Sequence, residues 1–366
     1  MDPYIPAKLS VRNINWEKLA ILLGETNTEI GRYDGLLDGM PNPEILLSPL
    51  LRKEAELSSK IEGTQSTMSE VLEYEADENI TDDRKIEEIN VLQNYRKTLR
   101  WAEDELRNER EFSLSFLKEM HNMLMRNSRW DSSAHPGDFR IKQVFIGEKG
   151  ASIEQAIYIP PEHFLILEYM ENWEDYLRNS REERLIKTAV IHAQLEIIHP
   201  FDDGNGRIGR MLITLFLYLS GVLHRPMFYM SQYLENNRTC YYESLRNISQ
   251  NNQWQEWIEF FLTAVKEQTK NNIKKVKEIN ELYEHKSEKF KEATKSRYYK
   301  DALDTFFKRP IINSVVFAKK SKIESQNTAR NILKRLESSG LVKKIRTGKG
   351  QSPSIYLFAD IINLLE

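Results

Sequence analysis

The stretch IIHPFDDGNGRIGRM, Ile197 to Met211, constrains this chain more than any other, because it joins two strongly apolar segments. Upstream, EERLIKTAVIHAQLEIIHP sets Ile186, Ala189, Val190, Ala193 and Ile197 at mainly three- and four-residue steps and stops at Pro200. That spacing is one face of a helix, and the proline ends it. Helix resumes at about Ile208 and runs through Leu219 to Gly221; its MLITLFLYLSGVL portion is too short to span a bilayer and reads as buried. The junction is therefore helix–loop–helix. A loop that only connects helices needs no histidine, two aspartates, asparagine, three glycines and two arginines.

Each of those residues suits phosphate chemistry. Gly204–Asn205–Gly206 lets successive backbone N–H groups converge, a geometry that binds anions. The helix that follows aims its positive end at the same spot. Arg207 and Arg210, three apart, lie on roughly one face and can fork onto phosphate oxygens. Asp203 is a hard oxygen ligand suited to Mg²⁺. His199 stands just before the cradle and can accept a proton near neutral pH. Together they read as a polyphosphate–metal site with a base at its edge. GxxxxGK[ST] is absent here, so this is no Walker loop. His192, Glu196 and His199 share a helical side, but the HExxH spacing of a zinc hydrolase is missing and periodicity alone can align them.

The rest of the chain sets the context. Its 366 residues allow two or three domains, with ordinary apolar and charged fractions. The start, MDPYIPAKLS, is not a secretory signal, and the single Cys240 excludes an internal disulfide. A cytoplasmic setting without a membrane partner fits best. From Asn271 onward there are 21 Lys+Arg against 11 Asp+Glu, while the remainder carries 31 against 44, so an acidic body bears a basic tail. Before Asn271 nearly everything reads helical, including Leu46–Gly63. The exception is DFRIKQVFIGEKGASIEQAIYIPP, which reads as a short β-hairpin of Val144–Ile146 and Ala156–Ile159 about a Gly147–Gly150 turn. A charged stretch from Lys266 to about Tyr299 reads as a long connecting helix with a possible dimer surface. Beyond it, a short helix at Asp301–Lys308, then Val316–Lys319, Ser325–Ser338, Leu341–Ile345 and Ile355–Phe358, spell helix–turn–helix plus two strands, a winged-helix pattern.

HPFDDGNGRIGR matches HPFx[D/E]GNGRxxR at every defined position, and on those residues the chain resembles the Fic family. The likeness extends over roughly residues 5 to 265, through Leu57–Thr64, the hairpin and YMSQYLENNRTCYYESL. It implies a mainly α fold: a helical Fic core with a β-hairpin flap, followed by a small winged-helix (α+β) domain. The corresponding segments are 1–110, a helical region carrying an inhibitory helix; 111–265, the catalytic core; 266–299, the connecting helix; and 300–366, the winged helix. The resemblance further implies transfer of AMP from ATP to a Ser, Thr or Tyr hydroxyl of a protein, or of the chain itself. His199 is then the catalytic base and Asp203 holds Mg²⁺ between the α- and β-phosphates. Gly204, Asn205, Gly206 and Gly209 belong to the phosphate-binding motif, with Asn205 on the α-phosphate, Arg207 on the β-phosphate and Arg210 on the γ-phosphate.

A second match lies in SSKIEG, which fits the family's inhibitory pattern [S/T]xxxE[G/N] through Ser58, Glu62 and Gly63. It implies that Glu62 pairs with Arg210 and denies that cation to the γ-phosphate; the same glutamate could also assist removal of AMP. The hairpin, residues 143–160, is implied to be the flap on which a target segment adds a strand. Tyr242 is assigned to the adenine pocket. His121, His135, His163, His192 and His224 have no partner pattern and read as structural or surface residues. In the tail, Ser325–Thr328 and Arg330 open a recognition helix, and Lys343, Lys344, Arg346 and Lys349 surround the wing. These suit DNA, but the module equally suits protein docking. Two alternatives stay open: a DNA-binding regulator whose core senses nucleotide, and a Doc-like phosphotransferase, against which Gly204 and Gly206 argue.

Overall fold

The computed structural model describes all residues except 1, 13, 78–81, 127–134, 148–149, 350–351 and 366. In chain order its elements are α1 (Trp16–Asp38), α2 (Pro43–Leu46), α3 (Ser48–Ile61), α4 (Met68–Asp77), α5 (Asp83–Arg107), α6 (Leu114–Leu124), α7 (Ile166–Asn179), α8 (Arg184–Ile198), α9 (Asn205–Leu219), α10 (Ser231–Asn236), α11 (Arg238–Asn251) and α12 (Trp254–Thr294). There follow α13 (Tyr299–Lys308), β1 (Ile311–Asn313), α14 (Ser314–Lys320), α15 (Gln326–Ser338), β2 (Lys343–Arg346), β3 (Ile355–Leu357) and α16 (Ala359–Leu365). The fold is mainly helical, as the periodicity predicts. No described helix is long and apolar enough to cross a membrane.

The elements gather into two units. The first comprises Met1–Gly35, Leu57–Thr64 and Gln93–Lys270; the second comprises Leu36–Glu56, Gln65–Leu92 and Asn271–Glu366. In the first unit α8 and α9 pack side by side at the centre. They are buried over most of their lengths, which is why both are apolar nearly all round. Two indoles sealed in with them have partners: Trp173 and Trp257 donate to the Ile191 and Ala189 carbonyls at 2.9 Å. Phe112, Phe116, Trp173 and Phe216 fill one side of this core with ring-to-ring contacts.

The second unit is built on a three-stranded antiparallel sheet in the order β1-β3-β2, with Leu357 of β3 facing both Ile311 and Lys343. Helices α14 and α15 and strand β3 fall near the segments the sequence pattern sets, β2 starts at Lys343 rather than Leu341, and β1 goes unread because Ile-Ile-Asn is too short for its alternation to show. Phe306, Phe317 and Phe358 form its core with Phe290 of α12. The α4 helix packs on β1, where Asn313 Nδ2 donates to the Ala76 carbonyl at 2.8 Å.

Candidate active site

The loop between α8 and α9 is shaped by two left-handed residues. His199, at φ 51°, ends α8 while its N–H still reaches the Leu195 carbonyl at 2.9 Å. Gly204, at φ 79°, opens α9, and a Cβ there would stand 2.9 Å from Met125 Sδ, so both backbone and space require glycine. Asn205 closes the turn: Oδ1 accepts from the Phe201 N–H and Nδ2 donates to the Phe201 carbonyl, each at 2.9 Å. Helix α9 therefore starts at Asn205, three residues ahead of the expected Ile208. The N–H groups of Asn205, Gly206 and Arg207 form its first turn and have no acceptor within the helix. The converging N–H groups expected of this turn are in place, although the Asn205 carboxamide is spent on Phe201 and only its backbone N–H stays open.

Two residues that the sequence did not mark hold this loop. His121 Nδ1 accepts from the Gly137 N–H, and Nε2 donates to the Asp203 carbonyl, both at 2.9 Å, with its ring stacked 3.8 Å from Phe201. Burial pulls its pKa to about 4, so it stays neutral. Arg140 donates from its backbone to the Pro200 carbonyl and from Nε to the His199 carbonyl, both at 2.9 Å, and from Nη2 to the Pro161 carbonyl at 2.6 Å. One guanidinium thus fixes both the end of α8 and the base of the flap. Burial lowers its pKa only to about 10, which leaves it charged.

His199 is set up as a neutral imidazole. Its Nδ1 faces the Glu196 carbonyl at 3.3 Å; donation there leaves Nε2 as the acceptor. Its pKa falls to about 4, chiefly through burial, with the charge of Arg140 acting the same way; the Glu196 carbonyl, Glu62 and Asp203 oppose the shift. At neutral pH the ring is free to take a proton.

The cationic side lies on α9. Arg207, nearly buried, bonds Asp203 Oδ1 from Nη2 at 3.1 Å, yet its own Nε is buried with no hydrogen-bond partner. An unpaired guanidinium N–H is costly, and an anion on this turn would satisfy it. Asp203 directs Oδ1 to Gly204 and Arg207, and no hydrogen bond from the described residues reaches Oδ2. A single open carboxylate oxygen beside an anion cradle suits Mg²⁺, which takes one or two carboxylates and fills its shell with water and phosphate.

Arg210, whose side chain is 1% exposed, is held from α3. Its Nε donates to Ser58 Oγ and its Nη2 to the Ser58 carbonyl, both at 2.8 Å, and Nη2 also donates to Glu62 Oε1 at 2.7 Å. Local sequence explains why Glu62 arrives there. Gly63 adopts φ 94° and ends α3, so Glu62 sits on the last turn with its N–H on the Ser59 carbonyl at 3.1 Å. The Ile61 carbonyl, at the negative end of α3, accepts from Arg238 Nη2 at 2.6 Å. Burial alone would raise the Glu62 carboxyl; the charges of Arg210 and Arg207, the Arg210 hydrogen bond and His199 outweigh it and hold the group below its usual value.

Glu62, His199, Gly206 and Arg210 open onto one cavity of about 510 Å³, walled on its far side by Tyr242, Leu245 and Ser249 of α11. Tyr241 is instead core: it is 1% exposed and its hydroxyl meets His192 Nε2 at 2.9 Å. His192 Nδ1 bonds the Gly209 carbonyl at 3.0 Å, so both its ring nitrogens are engaged in packing α8 against α9 and α11. The remaining wall is the flap, through Phe145, Ile146, Ile157 and Tyr158. The expected two-strand hairpin is reduced to a single antiparallel bridge, Ile146 to Tyr158, with a 3₁₀ turn at Ile153–Gln155; positions 148 and 149 of its turn lie outside the described residues. The Tyr158 hydroxyl donates to the Ile197 carbonyl at 2.7 Å and ties the flap to α8. A larger, open hollow of about 840 Å³ beside Trp16 and Tyr176 holds none of these residues.

Comparison with known proteins places the chain among relatives. Residues 21–104 match the profile described as Fic/DOC family N-terminal, and residues 111–217 that described as Fic/DOC family. The chain is 28% identical over 185 residues to "Probable protein adenylyltransferase aq_aa38" of Aquifex aeolicus, covering 50% of this chain and 52% of that one. It is 24% identical over 189 residues to "Protein adenylyltransferase Fic" of Drosophila ananassae, covering 51% and 34%. The match thus spans about half the length of the first relative and a third of the second. Among solved structures, a Fic family protein from Desulfovibrio desulfuricans G20 aligns over 95% of this chain and 98% of its own, with TM-score 0.58 and 20% identity. Fic-1 from C. elegans aligns over 71% and 74%, with TM-score 0.55 and 18% identity. The matched regions contain both Ser58–Gly63 and the whole junction from His199 to Arg210, and the chain belongs to the Fic/DOC family.

Proposed function

We propose that the protein transfers AMP from ATP to a Ser, Thr or Tyr hydroxyl, and that Glu62 restrains the reaction. The observation that carries this reading is the 2.7 Å contact of Glu62 with Arg210 inside the cavity that also contains His199 and the first turn of α9. His199 Nε2 takes the proton of the incoming hydroxyl, whose oxygen attacks the α-phosphorus. The bond from that phosphorus to the bridging oxygen breaks, and pyrophosphate leaves with the electron pair. The free N–H groups of Asn205, Gly206 and Arg207 receive phosphate oxygens, with Arg207 on the β-phosphate and Arg210 on the γ-phosphate. Mg²⁺, which Asp203 would hold, would supply further neutralisation of the phosphate charge. The exposed Phe145, Ile146 and Ile157 on the flap favour a target segment docking there as an added strand. While Glu62 holds Arg210, the γ-phosphate has no seat and the α-phosphorus is out of line for attack.

ATP labelled in the α- or the γ-phosphate tests the reaction class. The Glu62→Gly chain incubated with Mg²⁺ is expected to acquire protein-bound label from the α position only. Label from γ alone would make it a phosphotransferase and overturn the proposal.

A second role is favoured for the C-terminal unit. Gln326, Asn327, Arg330 and Lys334 leave one face of α15 exposed, and Lys343 and Lys349 are exposed beside it, whereas Lys344 is engaged by Glu337 at 2.8 Å. A helix presenting amides and cations after a tight turn suits a DNA groove, as in winged-helix modules. The full chain is expected to bind duplex DNA at low salt, with Arg330→Ala/Lys334→Ala weakening it about tenfold or more. Equal binding by parent and variant would remove α15 as the contact.

A further inference from the structure

Among the described residues, Glu62 and Glu196 are the two carboxylates lining the cavity, and the chemistry above uses only the first. Both lie against the opening turns of α9 at glycines. A Cβ on Gly206 would come within 2.2 Å of Glu62 Oε1, and a Cβ on Gly209 within 2.2 Å of Glu196 Oε1. Each glycine therefore clears space for one carboxyl group. Glu62 meets Arg210 there, but Glu196 Oε1 is sealed from solvent with no hydrogen-bond partner.

A charged carboxylate with an orphaned buried oxygen is costly, whereas a neutral carboxyl brings an O–H that can donate. The surroundings favour the neutral form. Burial raises the Glu196 pKa to about 8; Arg210 pulls it down and Glu62 pushes it up. From α11, Tyr241 and Tyr242 also face it, and from its own helix His192 and His199 lie one turn away on either side. None of these changes charge near pH 8: His192 and His199 titrate near about 3 and about 4, Tyr242 near about 12, and Tyr241 well above its ordinary value. Glu62 titrates below, and Arg210 above, its ordinary value.

We propose that Glu196 binds the nucleotide as a neutral carboxylic acid, donating its O–H to an oxygen of the terminal phosphate seated on Arg210. This rests on the reading of the cavity as a nucleotide site. Replacing Glu62 by a triphosphate puts more negative charge beside Glu196, which holds its proton more firmly. Binding then takes up or retains a proton, so affinity must fall as pH rises from the free to the bound pKa of this group.

The test is calorimetric binding of Mg²⁺–ATP to the full-length Glu62→Gly chain between about pH 6 and about pH 9. Affinity is expected to drop about tenfold across that range. In Glu62→Gly/Glu196→Gln the amide still donates but does not titrate, so binding should remain tight and flat with pH. In Glu62→Gly/Glu196→Ala it should be flat and about tenfold weaker. AMP, which lacks the β- and γ-phosphates, should bind Glu62→Gly without pH dependence above about pH 7.5, where its phosphate is already a dianion. ATP binding that is flat with pH in Glu62→Gly, or a slope that survives Glu196→Gln, or equal affinities for the Gln and Ala variants, would overturn the proposal and leave the nucleotide site standing. If neither ATP nor AMP binds at any pH, both readings fall.

Discussion

Glu62→Gly is expected to label itself or a target with AMP roughly 10-fold to 150-fold faster than the parent chain. The range follows from what Arg210 gives up and keeps. In the parent the guanidinium makes three hydrogen bonds, two to Ser58 and one to Glu62, and only the last is to a charge. A hydrogen bond between charged groups contributes about 1.5–3 kcal/mol, and each 1.36 kcal/mol is about tenfold in rate. Removing it leaves Ser58 to hold the arginine in position while vacating the seat of the γ-phosphate. Glycine at this place costs little, because α3 already ends here with Gly63 in the left-handed region. Glu62→Gln should fall between parent and glycine, since it keeps the volume and loses the charge. The contact should also respond to acid. Because the Glu62 pKa is depressed, the ion pair is complete above the ordinary carboxylate value and weakens as pH falls through the lowered one. Equal labelling rates for parent and Glu62→Gly, with ATP bound to both, would show that the ion pair does not restrain the enzyme.

How much of this could be read from the chain alone depended on whether the partners are neighbours. From His199 to Arg210 the residues are contiguous, so their spacing already groups a histidine, two aspartates, three glycines and two arginines at one helix junction. Even there, the start of α9 was misjudged by a turn, because the Asn205 side chain reads as a ligand group until its two bonds to Phe201 are seen. Glu62 and Arg210 stand 148 residues apart, and no local rule joins them; only the family likeness of Ser58–Gly63 did. His121 and Arg140 carried no signal, since a lone histidine and a lone arginine look alike whether they face water or brace a loop. Glu196 was visible only as part of a helix face. What makes it unusual, a carboxyl oxygen with no partner opposite a glycine, is a fact of packing between two helices. Alternation overstated the flap, where one bridge stands for two strands, because a short apolar run beside glycines fits a strand or an irregular wall equally well.

Removing the base should have the largest effect of all. In the Glu62→Gly background, His199→Ala is expected to lower AMP transfer by about 10²–10⁴, with ATP affinity retained, since the imidazole contributes to proton transfer rather than to phosphate binding. The pH dependence offers a sharper check. An imidazole with its ordinary value near 6.5 would lose most of its basic form by about pH 5, and kcat/KM would fall with it. Here burial and the neighbouring Arg140 hold His199 near about 4, and removing Glu62 takes away one of the groups that raise it. The basic form is thus complete above the lowered pKa and lost only as pH falls through it. For Glu62→Gly, kcat/KM for ATP should accordingly be flat between about pH 7 and about pH 5 and decline only below. A half-maximal point near pH 6.5 would mean that His199 is more fully hydrated in the working enzyme and that the geometry at the end of α8 is not the one that reacts. Full activity in His199→Ala would move the proton to another group. The cavity then offers Glu196 as the candidate, and the same profile would report it, because activity would be lost as pH falls through the raised Glu196 value instead of through the lowered His199 value.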